Sequence, residues 1–302
     1  MAGSASAWRL PVLGRADVVC PSTLPELLAS VAEGRRPYAG GTDLLIEATN
    51  AGGDLPPLAW TPAVAALARI ESDDWRARIG AAATFTALLR EQAVGTRAPC
   101  LVDAAGVVGS AQIRNRATVA GNLCNASPAA DTVPALAVHL AIVEIESSKG
   151  SRSVAVDGFC TGPGKTVLRA GELVTAVEIA LDEPGGSGCY RRFTVRNSMD
   201  LAFAGVAVRL RLDADGEHVA EARLALGAVG PTVLVAPSAA QLLVGARPDP
   251  STLGAVAEAA ARGCHPISDL RASEGFRRQL VRALVHDAVS EAYRRAREAS
   301  AR

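Results

Sequence analysis

Residues 110–136 read SAQIRNRATVAGNLCNASPAADTVPAL, a stretch where large apolar side chains are sparse and small or hydrogen-bonding ones crowd together. Gly121 has no Cβ, and Ala120, Ala126, Ala129 and Ala130 carry one methyl each, so the backbone can approach a flat or phosphorylated molecule closely. Thr118, Asn122, Asn125, Ser127 and Asp131 bring polar groups that a core strand would not tolerate unpaired. Pro128 fixes φ and stiffens the turn, after which Asp131 or Thr132 is placed to cap a helix opened by Pro134. Two readings fit these residues: an ordinary Gly/Asn/Ser-rich loop ending in an N-cap, or a surface shaped for a ligand.

Upstream, Arg36-Pro37-Tyr38-Ala39 leads into Gly40-Gly41-Thr42-Asp43 and the short helical run Leu44-Leu45-Ile46-Glu47. Strand, glycine pair and helix start together point free backbone N–H groups at one spot, which suits a pyrophosphate, although most Gly-Gly turns bind nothing. The chain carries neither a GxGxxG fingerprint nor a GxxxxGKS/T loop, so a dinucleotide would need a fold other than the Rossmann or P-loop types.

The run Thr118 to Asp131 resembles the second flavin-contacting segment of the FAD-binding subunit of molybdenum hydroxylases, the family of the xanthine dehydrogenase FAD domain and the carbon monoxide dehydrogenase medium subunit. Ala39 to Leu45 resembles that family's first flavin segment. Gly162 to Leu168, Tyr190 to Ala202 and Pro266 to Ser273 resemble the end of its flavin domain, the opening of its C-terminal domain and its closing motif. The resemblance runs from about residue 8 to 295. One departure is Ala120, where the family usually has glycine.

The resemblance implies an α+β fold: a two-subdomain FAD-binding domain of the vanillyl-alcohol-oxidase (PCMH-like) type, then a smaller α+β domain with an antiparallel sheet and helices. It implies FAD held by Ala39, Gly40, Gly41, Thr42, Asp43, Leu44, Thr118, Ala120, Gly121, Asn122, Ser127, Asp131, Leu168 and Arg192. It also implies an oxidoreductase complex, in which a large subunit carries the molybdenum cofactor and a small subunit carries two 2Fe-2S clusters. That complex would be a dimer of heterotrimers in the cytoplasm. Two rivals are a stand-alone flavin oxidase, for which the chain after residue 184 is short, and a subunit that has kept the fold but lost flavin.

Composition agrees with a soluble globular protein: of 302 residues, 49% are hydrophobic and 21% charged, with 31 basic and 31 acidic side chains. That balance gives no bulk field for nucleic acid or acidic membrane. The six cysteines form no CxxC pair and the four histidines do not cluster with them, so no metal ligands are assigned. Arg9 and Arg15 interrupt the N-terminal apolar stretch, which reads as no signal peptide, and no apolar run is long enough to span a membrane. No nucleophile beside a base and no paired carboxylates stand out, so catalytic residues are not assigned and the chemistry falls to a cofactor.

Patterning predicts a helix at 23–33 with a Thr23–Glu26 capping box, a Gly/Pro-rich loop or subdomain junction from 51 to 62, and a strand at 78–83 feeding a helix after Thr84 or Thr86. Helices follow at 98–108 and 135–139, then a hairpin of 142–146 with 152–156 and an alternating strand at 172–179. Asp182 to Gly188 reads as a linker, dividing the chain into 1–184 (subdomains about 1–60 and 61–184) and 185–302. Beyond it come strands at 205–212 and 220–226 and helices near 236–243 and 251–262. A last helix from Ser273 should bury Phe276, Leu280, Leu284 and Ala288, with Val281, Val285 and Val289 beside them, and turn Arg277, Arg278, Arg282 and Asp287 to solvent.

Overall fold

The computed structural model describes residues 16–50 and 55–300. The N-terminal stretch read as no signal peptide and the start of the Gly/Pro passage, residues 51–54, lie outside them.

The chain opens with three short parallel strands, β1 (Val18–Val19), β2 (Arg36–Tyr38) and β3 (Leu58–Trp60), ordered β1-β3-β2. Between them run helix α1 (Leu24–Ala32) and helix α2 (Leu44–Asn50). The capping box at α1 is present: Thr23 Oγ1 accepts from the Glu26 N–H while the Glu26 carboxylate takes the Thr23 N–H. Leu27 and Val31 then face inward against Ala59, Val64 and Leu67. The stretch expected to be a loop therefore contains the central strand of this sheet. Prolines on both sides hide β3 in the sequence, yet Leu58 and Ala59 are buried and its backbone pairs with β1 and β2.

A five-stranded antiparallel sheet follows, built from β4 (Ile70–Ser72), β5 (Arg76–Gly80), β6 (Ile142–Ser147), β7 (Gly150–Ala155) and, after the small hairpin β8 (Cys160–Gly162) and β9 (Lys165–Thr166), β10 (Leu173–Ala180). The order is β4-β5-β10-β6-β7. β10 sits in the middle, so Leu173 to Val177 are all buried and the alternation expected over 172–179 shows only from Val177 on. Inserted after β5 are helices α3 (Phe85–Arg90), α4 (Gln92–Arg97), α5 (Pro99–Gly106), α6 (Ala111–Arg114), α7 (Val119–Cys124) and α8 (Thr132–Val138). Phe85, Leu88, Leu101, Leu123 and Leu136 from these helices pack with Ile79, Val143 and Val177 of the sheet in one core.

The third sheet, β11 (Gly186–Phe193), β12 (Ala204–Leu212), β13 (Val219–Gly227) and β14 (Leu234–Val235), is antiparallel in chain order. Its helices are α9 (Pro237–Gln241), α10 (Pro250–Arg262) and α11 (Glu274–Ser300), and the sheet also touches α5 and α8 of the preceding part. Tyr190, Ala207 and Ala225 belong to the core of the five-stranded sheet and its helices, so a continuous apolar contact joins the two parts.

The segment read as a linker is correspondingly tight. Asp182 is buried and paired with Arg209 on β12 at 2.6 Å; its backbone N–H donates to the Arg97 carbonyl, and Arg97 Nε donates back to the Asp182 carbonyl. β11 is already hydrogen-bonded at Gly186. The last helix also departs from expectation. Arg277, expected in solvent, is 5% exposed and donates to the carbonyls of Phe203 and Ala228 and to the Asp269 carboxylate, while Phe276 is 40% exposed. These acceptors offset the cost of burying a guanidinium; the rest of the expected stripe is buried at Val281, Leu284, Val285, Ala288 and Val289 and continues into Ala292 and Ala296. Among the described residues no helix is long and apolar enough to cross a membrane.

Candidate functional site

The stretch 110–136 is not a loop: α6, α7 and the start of α8 occupy most of it. Thr118 is the N-cap of α7, its Oγ1 accepting the Gly121 N–H at 3.0 Å, which is why this buried hydroxyl is tolerated. Val119 and Leu123 face the core. Ala120 joins them at 4% exposure, so its methyl lies among core side chains, whereas Gly121 is exposed on the opposite side. The Asn122 side-chain carbonyl takes the Thr132 hydroxyl at 2.7 Å and ties α7 to α8.

The Gly40-Gly41 turn lies against the entrance to this segment. A Cβ on Gly40 would fall 2.2 Å from the Arg116 carbonyl oxygen, so the two chain segments touch backbone to backbone. Gly41 has φ of +71°, which suits a residue without Cβ. Among the described residues, the backbone N–H groups of Gly40, Gly41, Thr42 and Asp43 make no hydrogen bond. Four successive donors are thus left free, the backbone feature on which anion-binding turns rely. Ala39, Gly40, Gly41 and Thr42 are half-buried, Asp43 is exposed, and Leu44 is buried at the start of α2.

The far end of the segment meets both later motifs. Ala126, at φ +49°, offers its carbonyl to the Gly164 N–H in the β8–β9 hairpin, which positions half-buried Leu168 just beyond. Ser127 Oγ accepts the Ala129 N–H, and the Pro128 carbonyl takes the Ala228 N–H from the end of β13. Asp131 does not cap α8 as expected: its backbone is helical and its side chain makes no capping bond. Both carboxylate oxygens turn instead to β11, one to the Tyr190 hydroxyl at 2.8 Å and the other to the Arg192 guanidinium at 2.6 Å. Burial pushes the Asp131 carboxyl up to about 6, with the Arg192 charge and the Tyr190 hydrogen bond pulling the other way. The Tyr190 hydroxyl is driven well above its ordinary value by burial and the adjacent carboxylate.

Six of the expected residues thus form a connected series. Gly40 touches Arg116, which precedes Thr118; Gly121 and Asn122 follow on α7; Asn122 reaches Thr132, whose neighbour Asp131 holds Arg192. Tyr190 was not singled out from the sequence, although its place two residues before Arg192 on one strand puts both on the same face. Among the described residues, one cluster has metal-ligand character, Asp213, Asp215 and His218. It is exposed in the β12–β13 turn, where Asp215 is occupied by the His218 ring and backbone N–H groups.

Comparison with known proteins matches residues 14–181 to the FAD-binding domain of molybdopterin dehydrogenases and residues 188–292 to the C-terminal domain of the CO dehydrogenase flavoprotein. The xanthine dehydrogenase FAD-binding subunit of Escherichia coli O157:H7 is 34% identical over 257 residues, covering 84% of this chain and 87% of that one. The carbon monoxide dehydrogenase medium chain of Hydrogenophaga pseudoflava is 31% identical over 218 residues, 72% of this chain and 75% of its own. A solved carbon monoxide dehydrogenase from the same organism, lacking the Mo-pyranopterin moiety of its molybdenum cofactor, superposes with a TM-score of 0.87 at 27% identity, covering 93% of this chain and 98% of that one. With its family profile spanning more than half of the sequence and its fold shared over 93% of it, the chain belongs to the FAD-binding oxidoreductase subunits of the molybdenum hydroxylase family.

Proposed function

We propose that this chain holds one FAD and passes electrons from the 2Fe-2S clusters of a small partner subunit to an external acceptor, while a large molybdopterin-binding subunit oxidises the substrate. The observation that carries the reading is the row of unpaired N–H groups at Gly40 to Asp43, seated against the backbone that enters the Thr118-capped helix. Those donors suit the pyrophosphate, with Ala39 and Leu44 framing the turn. Thr118, Ala120, Gly121, Asn122, Ser127, Asp131, Leu168 and Arg192 shape the rest of the site, Ala120 from beneath. Bound FAD would supply electron acceptance and release, and the protein supplies position and charge. A non-covalent site is favoured because burial pushes the Cys124 thiol, within the second segment, up to about 12, far from a reactive thiolate.

The partners follow from relatives named as subunits of larger enzymes, and the assembly we propose is a dimer of heterotrimers in the cytoplasm. Exposed Phe193, Val195, Met199, Leu201, Ile267 and Leu270 offer apolar surface for such partners to cover. The proposed division, 1–184 and 185–302, separates two parts that share apolar core contacts. Heating the purified chain and analysing the supernatant by mass tests the cofactor reading: a yellow protein that releases free FAD is expected. Colourless protein that takes up no FAD, or flavin recovered as FMN or as a covalent adduct, would refute it.

A further inference from the structure

The Asp131 carboxylate spends neither oxygen on its own helix. Both go to residues two apart on β11, more than fifty positions later in the chain. The register of β11 with β12 places Arg192 opposite Gly205, and a Cβ on Gly205 would fall 2.4 Å from the Tyr190 hydroxyl oxygen. The missing side chain therefore makes room for the phenol. A helix start needs none of this. Arg192 is 7% exposed in its side chain and uses one terminal nitrogen on Asp131, with the Asp200 carbonyl at 3.5 Å. Its other N–H groups have no partner among the described residues and remain for an acceptor brought from outside.

We propose that Tyr190 is a positioning residue: through Asp131 it aims Arg192 at the flavin, so the cofactor site is complete only when β11 is seated on the α7–α8 segment. The proposal rests on the FAD reading above. Tyr190 and Arg192 are the charged or titratable groups facing Asp131 from β11; Cys100 of α5, in the same core as Tyr190, acts electrostatically on its hydroxyl; nearby Asn122 and Thr132 of α7 and α8 are uncharged. Ionised Asp131 fixes the guanidinium, and the protonated acid releases it. Because burial lifts this carboxyl to about 6, the change falls within the range of an ordinary binding assay.

The test is FAD titration of the whole apo chain across about pH 5 to 7.5, where coupling to one proton gives up to about a tenfold change per pH unit. Wild type should bind with constant affinity above about pH 6 and lose up to about tenfold per unit below it. The Tyr190 hydroxyl donates to the ionised carboxylate and favours it, so Tyr190→Phe should move the break to higher pH, and Asp131→Asn should remove it. A purely structural Tyr190 would lower the melting temperature and leave the break in place. An unmoved break in Tyr190→Phe, or a wild-type profile flat across the range, overturns the proposal. Gly205→Ala, which crowds the hydroxyl off Asp131 without removing it, should shift the break in the same direction. Wild type that binds no FAD at any pH would instead sink the cofactor reading, and this inference with it.

Discussion

The two glycine-bearing segments look alike in sequence and differ in what their glycines face. Gly40 is hemmed in by the protein itself, with the Arg116 carbonyl where its Cβ would be. Gly121 is exposed, and a Cβ there would meet nothing within 4 Å except Thr118 Oγ1 at 3.0 Å. The first glycine is required by chain packing whether or not a ligand is bound. Among the described residues nothing requires the second, so a need for it would come from outside them. Folding and binding demands can be separated here by substitution, using apo-protein stability for one and flavin affinity for the other.

The largest effect belongs to Gly40→Ala. A methyl 2.2 Å from a backbone oxygen cannot be accommodated by a rotamer change, so the turn and the 116–117 backbone must part. We expect a loss of about 3 kcal/mol in urea unfolding of the apo chain, the upper end of overpacking costs, together with loss of flavin. Wild-type stability in this variant would erase the distinction between the two segments.

Gly41→Val comes next. Its φ of +71° places a β-branched side chain in the left-handed region, at roughly 1–3 kcal/mol, and a Cβ there would also lie 3.3 Å from the Leu45 side chain. Flavin retention should fail as well, since the strained turn carries the free N–H groups. A variant that stays stable yet keeps full flavin would show that these donors do not hold the cofactor.

How much of this was legible beforehand follows the range of the interactions. The Thr23–Glu26 box and the turn at Asp213–Gly216 are written within a few residues, and both strands flanking that turn were readable from alternation. β3 was not, because three residues between prolines look like a break, and their pairing with β1 and β2 is recorded only in distant chain. Asp131 shows the same limit at the site. Its position before a helix spelled a cap, but the groups that claim it are 59 and 61 residues away. Nothing local to Arg277 signals that Phe203, Ala228 and Asp269 converge on it, so its letter alone points to solvent. The glycine segments themselves were visible, but nothing in their letters said which glycine faces the chain and which faces outward.

Thr118→Val isolates the scaffold of the second segment. It keeps the shape of a 2% exposed side chain and removes the oxygen that accepts the Gly121 N–H, leaving the first turn of α7 uncapped. The expected cost is about 1 kcal/mol, the usual value of an N-cap, read as a fall in the urea midpoint at constant slope. Unchanged stability would mean that the Gly121 N–H finds water as readily as it finds Thr118.

The smallest effect on stability should come from Gly121→Ala. Alanine suits a helix better than glycine by up to about 1 kcal/mol, and the crowding against Thr118 Oγ1 takes back part of that, so the apo chain should stay within about 0.5 kcal/mol of wild type. Flavin affinity should nevertheless fall, by on the order of tenfold, because a methyl placed where a ligand packs closely costs about 1–3 kcal/mol. The neighbouring Ala120 sharpens the expectation: its methyl is already absorbed by the core, so adding one to the outward face is a different perturbation from the one the chain already carries. Stability and affinity moving independently in this variant, after moving together in Gly40→Ala, is the signature of a surface kept bare for a cofactor. If Gly121→Ala binds FAD as tightly as wild type, the outward face of α7 is not part of the site, and the cofactor reading must rest on the Gly40–Asp43 turn and the Asp131–Arg192 pair alone.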